Sequence, residues 1–259
     1  MYDTFGADYD RFVNWPSRLA LELPWIEQQL QALPGARDMP VHVLDAACGT
    51  GMHAIALAQK GYLAAGADLS SVMIERARQN AAAAGVQMRF EAVGFGALAQ
   101  TFGRQTFDAL LCLGNSLPHV LSPAELATTL EDFAACLRPG GLLIVQNRNF
   151  DAVMAKKERW MEPQAHQEGQ EERIFIRFYD FDPDGLITFN ILTLKREGTV
   201  GWTQQTSATR LRPLLEAELR TALTAAGFDE INSYGNMSGM PFDSQASGNL
   251  VMTARRIGA

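Results

Sequence analysis

A chain of 259 residues with 47% hydrophobic content has the apolar material for one large α/β domain, or for one domain carrying an insertion. Its formal net charge of −7 argues against a nucleic-acid or anionic-membrane partner, because either needs a basic face. No stretch reads as a transmembrane span or signal peptide, and the three cysteines, Cys48, Cys112 and Cys136, are scattered in apolar runs without metal-ligand spacing. The expectation is a cytoplasmic protein with buried free thiols and no metal.

Residues 1–40 are expected to form an N-terminal helical lid segment. Trp25-Ile26-Glu27-Gln28-Gln29-Leu30 has a helical apolar spacing, and Pro34-Gly35 stops it. Tyr9 to Arg18 mixes aromatic residues with arginine, which suits a flap over a ligand site and makes Tyr9 and Arg18 candidate contacts. Val43-Leu44-Asp45-Ala46-Ala47-Cys48-Gly49-Thr50-Gly51, followed by Met52-His53-Ala54-Ile55, reads as a strand, a tight turn and a helix. This is the opening unit of a doubly wound fold. Gly49 and Gly51 allow positive φ and a close ligand approach. Gly49 to Ala54 also satisfies the G-x-G-x-x-A dinucleotide pattern, a weak signal alone. Asp45 tips the balance, since a strand-end carboxylate repels a pyrophosphate and suits a cationic head group. Val43 to Gly51 resembles motif I of class I methyltransferases dependent on S-adenosylmethionine (SAM), a ligand with an ammonium, a sulfonium and no phosphate. The resemblance implies that Asp45, Ala46, Gly49 and Gly51 bind SAM and that Arg18 pairs with its carboxylate.

Tyr62 to Asp68 is the second strand, ending in an acid roughly 20 residues beyond the glycine turn, where an acid meets a ribose. A carboxylate accepting two hydroxyl protons grips a cis-diol selectively. Asp68-Leu69-Ser70-Ser71-Val72-Met73 resembles the family's D-x-S-x-x-M signature, which implies cofactor contacts from Leu69 and places Met73 near adenine. Ser70 also reads as the cap of a helix over Ser71 to Ala84. Val86 to Val93 is the third strand. No side-chain acceptor for adenine follows it, so backbone groups at Val93 and Gly94 are expected to serve. Phe107 to Leu113 is the fourth strand. Leu113-Gly114-Asn115-Ser116-Leu117-Pro118-His119 is similar to glycine N-methyltransferases and glycine/sarcosine methyltransferases. That likeness implies Asn115 in the acceptor site and His119 near the cofactor as the two catalytic candidates, with Leu113 a further cofactor contact.

Ser122-Pro123-Ala124-Glu125 opens a helix with a cap, a first-position proline and a first-turn acid, and the helix closes at Leu137 to Gly141. Gly141 to Gln146 is the fifth strand. Asn147-Arg148-Asn149-Phe150-Asp151 resembles the R-N-Y-D segment of glycine N-methyltransferase, implying that Arg148 binds an acceptor carboxylate. A planar guanidinium does so through two parallel charge-assisted hydrogen bonds. Ile174 to Tyr179, Leu186 to Leu194 and Gly201 to Thr209 are strand-like, with Pro183-Asp184-Gly185 as a hairpin turn. Such an antiparallel insertion would cap the active face, with Tyr179, Trp160, Trp202 and Arg210 as candidate pocket residues. Pro213 to Ala226 is the next helix, and Phe228 to Tyr234 with Asn249 to Arg255 complete the sheet.

The expected fold is α/β: a Rossmann-like seven-stranded mixed sheet of the class I methyltransferase type with an inserted antiparallel β cap. Its parts are the lid segment (1–40), the SAM-binding core (41–151), the substrate cap (152–210) and the C-terminal part of the core sheet (211–259). The resemblance implies methyl transfer from SAM, leaving S-adenosylhomocysteine, to a small soluble acceptor, by preference the amine of glycine, sarcosine or another amino acid. O-methylation of a metabolite or sugar is one alternative, and a catalytically silent SAM-binding subunit is another. An NAD-dependent oxidoreductase is disfavoured by Asp45. Monomer and homo-oligomer stay equally open.

Overall fold

A computed structural model describes residues 13–36, 39–198 and 201–258. Helix α1 (Trp15–Gln31) starts under the Asn14 side chain, which accepts the Ser17 N–H at 3.2 Å. One helix thus runs through Pro24 and covers both Arg18 and the Trp25 to Leu30 stretch. The core then alternates β1 (His42–Asp45), α2 (Met52–Gln59), β2 (Leu63–Asp68), α3 (Ser71–Ala83), β3 (Arg89–Ala92), α4 (Leu98–Phe102) and β4 (Phe107–Cys112). After a 3-10 turn (Leu117–His119) come α5 (Pro123–Cys136), β5 (Leu137–Arg148) and α6 (Phe150–Lys156). Ser122 and Glu125 form the expected reciprocal capping box on α5.

The cap follows as β6 (Gln164–Glu168), β7 (Glu171–Phe181), β8 (Ile187–Glu197) and β9 (Thr203–Leu211). Helix α7 (Glu216–Ala225), β10 (Phe228–Tyr234) and β11 (Asn249–Arg256) return the chain to the core. The seven-stranded sheet has the order β10-β11-β5-β4-β1-β2-β3. Strands β1 to β5 pair in parallel, and β11 joins β5 and β10 antiparallel. The central strands are apolar on both faces because helices cover both. On one face Val43, Leu111 and Ile144 pack under Trp25, Ile26 and Leu30 of α1. On the other, Leu44, Leu110 and Leu143 pack under Leu130, Phe133, Leu219 and Leu223. Strand order reverses between β1 and β4, and the crevice beyond their carboxyl ends is where ligands of such sheets bind.

Several boundaries differ from the sequence expectation. Strand β5 begins at Leu137, four residues early, because Leu137 pairs with Phe107 before a register shift carries the chain through Gly140 and Gly141. The cap has a fourth strand, β6, whose Gln-Ala-His-Gln-Glu sequence carries no apolar alternation to announce it. Helix α7 starts at Glu216, where the Asp151 carboxylate accepts the Glu216 N–H at 3.0 Å. The β7–β8 hairpin turns at Pro183 to Gly185 as expected, with Gly185 at φ +84°. Phe150 and Val153 of α6 pack against Tyr179, Ile187 and Leu211, fastening the cap to the core rim. All three cysteines are buried free thiols. Among the described residues no helix is long and apolar enough to cross a membrane.

Candidate functional site

A cavity of about 1090 Å³ lies beyond the carboxyl ends of β1, β2, β4 and β5 and under the inner face of the cap. Behind its wall at the end of β1, Asp45 is 2% exposed, and its Oδ1 has no hydrogen-bond partner. Burial pushes the Asp45 carboxyl up to about 6, and the nearby Asp68 charge adds to the rise. His53, the Ala47 N–H and Arg18 oppose it. Ala46, Ala47 and Gly49 carry the chain from Asp45 onto the wall. There the Asp68 carboxylate is fixed by two backbone donors, Gly49 N–H at 2.9 Å and Ser70 N–H at 2.9 Å. Leu69, Met73, Gly94 and Phe95 form a largely apolar slot beyond it, closed by Thr128 and Thr129 of α5. Glu125 also reaches this end, with its carboxylate taken by the Leu121 and Ser122 N–H groups of the helix cap.

Arg18 enters the cavity from α1, and its Nε donates to both oxygens of Glu22 at 3.1 Å. Glu22 in turn meets His53 Nε2 at 2.6 Å, and both residues are buried. Burial works to raise the Glu22 carboxyl, but the His53 hydrogen bond and the Arg18 charge outweigh it and hold it below its ordinary value. The far end of the guanidinium reaches the β4 turn, where a Cβ on Gly114 would lie 3.7 Å from Arg18 Nη2. Glu22 and His53 therefore fix the arginine that sequence alone singled out.

The opposite half of the cavity is built on the ends of β4 and β5. Asn115 sits at φ +63°, its N–H bonded to Gln146 O at 3.0 Å. Its Oδ1 accepts the Arg148 N–H at 2.9 Å, so the two residues are tied to each other. The Gly114 N–H donates to Gln146 Oε1 at 2.8 Å, and Gln146 Nε2 donates to Asn249 Oδ1 at 3.2 Å, making a polar floor. Arg148 lines the cavity with a long 3.8 Å contact to Glu158. Tyr179 closes the roof from β7, its hydroxyl pushed up to about 12 by burial, against the pull of Arg148 and Arg177. Burial holds His119 down at about 4, so its imidazole is neutral at pH 7.

Arg18, Ala46, Gly49, Asp68, Leu69, Met73, Gly94, Asn115, His119, Arg148 and Tyr179 all face this one cavity. Other expected site residues stand back from it. Gly51 is at φ +83° as the cap of α2, and a Cβ there would meet Phe90 at 2.9 Å, so the packing of β3 demands this glycine. Val93 and Leu113 pack into the hydrophobic core. Arg210 is turned outward because Thr209 and Leu211 take the inner face of β9, and it pairs with Asp182 at 3.4 Å and with Asp184. Trp160 and Trp202 are exposed on the cap, stacked with Arg159 and Arg196. Tyr9 lies outside the described residues. Glu22, Gln146, Arg177 and Asn249 join the wall without having been expected there.

This sheet order, with an acid ending each of the first two strands, is the class I methyltransferase fold. Residues 43–141 match a family model described as a methyltransferase domain. The glycine/sarcosine N-methyltransferase of Halorhodospira halochloris is 33% identical over 153 residues, covering 59% of this chain and 54% of that protein. The chain thus spans about half the length of that curated relative. A solved SAM-dependent methyltransferase from Clostridium acetobutylicum matches with a TM-score of 0.77 at 17% identity over 99% of both chains. A sugar N-methyltransferase from a Streptoalloteichus species matches at 0.71 and 22% identity, covering all of this chain and 93% of the other. Residues 43–141 are thus similar to a methyltransferase domain, on a chain whose fold is that of the class I SAM-dependent methyltransferases. The chain resembles, in particular, the glycine/sarcosine N-methyltransferase group.

The residues present fit SAM. The orphaned buried oxygen of Asp45 suits a ligand bearing cationic groups and no phosphate. The anchored Asp68 carboxylate suits a ribose diol, and the Leu69 to Phe95 slot suits a flat base.

Proposed function

We propose that this protein is a SAM-dependent methyltransferase acting on the amine of a small amino acid, glycine and sarcosine being the acceptors its sequence likeness supports. The observation that carries the reading is the 2.9 Å tie between Asn115 and Arg148 in the same cavity as Arg18 and Asp68. It holds an amide and a guanidinium at neighbouring strand ends, beside the cofactor half. Bound SAM supplies an already activated methyl group, so the chain's task is alignment. Arg148 would anchor the carboxylate, and Asn115 Oδ1, one lone pair held by the Arg148 N–H, would accept an N–H of the amine with its other and leave the amine lone pair free. The Arg148 charge also disfavours an ammonium beside it and so favours the neutral amine with its lone pair.

His119 bears on the choice between amine and hydroxyl acceptors. A hydroxyl acceptor needs a base, and an imidazole held at about 4 is a weak one at neutral pH. An amine that has already shed its proton needs none. Product mass spectrometry with isotopically labelled SAM and a mixture of small amino acids, amines and sugars tests the proposal. A methylated amino acid that disappears in Arg148→Ala is the expected result. Transfer to no amino acid, with SAM binding intact, refutes it.

A further inference from the structure

The cap adds a second guanidinium to the acceptor half. Arg177 and Tyr179 lie two residues apart on β7 and therefore on one face, and both line the cavity. Arg148 lies on the same wall from the core side. Burial lowers the Arg177 pKa, and the positive charge of nearby Arg148 lowers it further. Two cations held together are relieved by an anion between them.

Apart from Thr209, the remaining roof is apolar. Register pairs Tyr179 with Phe189 and Arg177 with Ile191 across β7 and β8, and the Tyr179 and Phe189 rings are 5.6 Å apart. Met161 and Leu211 extend the same surface. Glycine and sarcosine offer almost nothing to such a wall, whereas each methylene buried on it gains about fourfold in affinity. The cavity of about 1090 Å³ is at the upper end of the roughly 300–1,000 Å³ typical of ligand sites, in keeping with a cofactor and an acceptor side by side.

We infer that the acceptor is an amino acid with an apolar side chain, its carboxylate shared by Arg148 and Arg177 and its side chain laid against Phe189, Ile191, Met161 and Leu211. This rests on the methyl-transfer reading for the amine and puts a larger amino acid in place of glycine and sarcosine as the preferred acceptor. It makes Arg177 a specificity-determining residue and makes the cap sheet the part that reads acceptor size.

Binding to the S-adenosylhomocysteine-loaded protein tests the inference without turnover. Calorimetry compares acetate, 4-methylpentanoate and 3-methylbutylamine: glycine without its amine, leucine without its amine, and leucine without its carboxylate. The expected order is 4-methylpentanoate tighter than either of the others by about tenfold or more. Arg177→Ala should lose at least about tenfold in 4-methylpentanoate affinity, with Arg177→Lys keeping part of it. Unchanged circular dichroism and S-adenosylhomocysteine affinity in both variants would show that the fold is intact. Equal binding of acetate and 4-methylpentanoate, or an Arg177→Ala variant that binds like the parent, overturns the inference. Mass spectrometry with leucine and glycine separates the two readings. Preferred methylation of glycine, without discrimination between the acids, leaves methyl transfer standing and removes the size-reading cap. Tight 4-methylpentanoate binding with no transfer to any amine removes the methyl-transfer reading and leaves the apolar-acid site.

Discussion

Replacing Asp45 with asparagine separates what this residue does for the fold from what it does for the cofactor. The native carboxyl is raised from 3.8 to about 6, chiefly by burial. Below both values it is protonated in the folded and unfolded chain alike and contributes nothing. As pH rises from about 4 to about 6 the unfolded chain ionises first, so the folded state, holding more protons, loses stability. Above about 6 the penalty is complete and amounts to about 3 kcal/mol. Asparagine removes that penalty but leaves one amide donor unpaired in the buried space, at a cost of about 1–3 kcal/mol. The net expectation at pH 7.5 is a ligand-free variant more stable than the parent by about 1 kcal/mol, or about 2–4 °C for a chain of this size. At pH 4.5 the advantage should vanish or reverse, because the parent's carboxyl is then mostly protonated. Thermal melts at both pH values, with and without S-adenosylhomocysteine, measure this. The ligand should raise the melting temperature of the parent at pH 7.5 and barely move the variant. A variant destabilised equally at both pH values and still stabilised by the ligand would refute the reasoning.

Two further predictions follow from contacts around the cofactor half. Glu22→Gln removes the charge that holds Arg18 Nε, so affinity for S-adenosylhomocysteine should fall by about tenfold, read by calorimetry; unchanged affinity would mean that Arg18 needs no such anchor. Gly51→Ala places a Cβ 2.9 Å from the Phe90 ring and 3.0 Å from the Ala77 Cβ in a left-handed backbone. Strain and overpacking together should cost about 2–4 kcal/mol in urea unfolding, and a loss below about 0.5 kcal/mol would show that the β3 packing yields easily.

The cavity wall around Asp68 was legible because its determinants are local in sequence. Asp45 and Asp68 each end an apolar strand, and Gly49 turns the chain directly after the first, so the strand–turn–helix pattern places all three. The opposite wall was legible only where it sits on strand ends, at Asn115 and Arg148, both of which line the cavity. Glu22 and His53 are 31 residues apart and meet only through the packing of α1 against α2, which no period reveals. The cap shows the difficulty most plainly. Arg177 and Arg210 are both arginines on cap strands, yet one faces the cavity and the other pairs with Asp182 and Asp184 at the hairpin. Which face a residue takes depends on the parity of the strand, and β9, polar along most of its length, carries too little alternation to fix it. The extra strand β6 was hidden for the same reason.

The tie between Asn115 and Arg148 has a consequence for how such a protein diversifies. On the proposed reading, head-group geometry is locked into core strands that also carry the cofactor site, so a change there would disturb both at once. Ile191 and Thr209 face the cavity from a separate sheet, outside the Phe150 cluster and the Arg212 N–H to Pro118 O bond that help join that sheet to the core. On the proposed reading, substitutions at those two positions would resize the acceptor space while leaving the alignment of methyl donor and amine alone. New acceptor preferences, natural or engineered, have a short mutational route here, and it runs through the inward positions of β8 and β9.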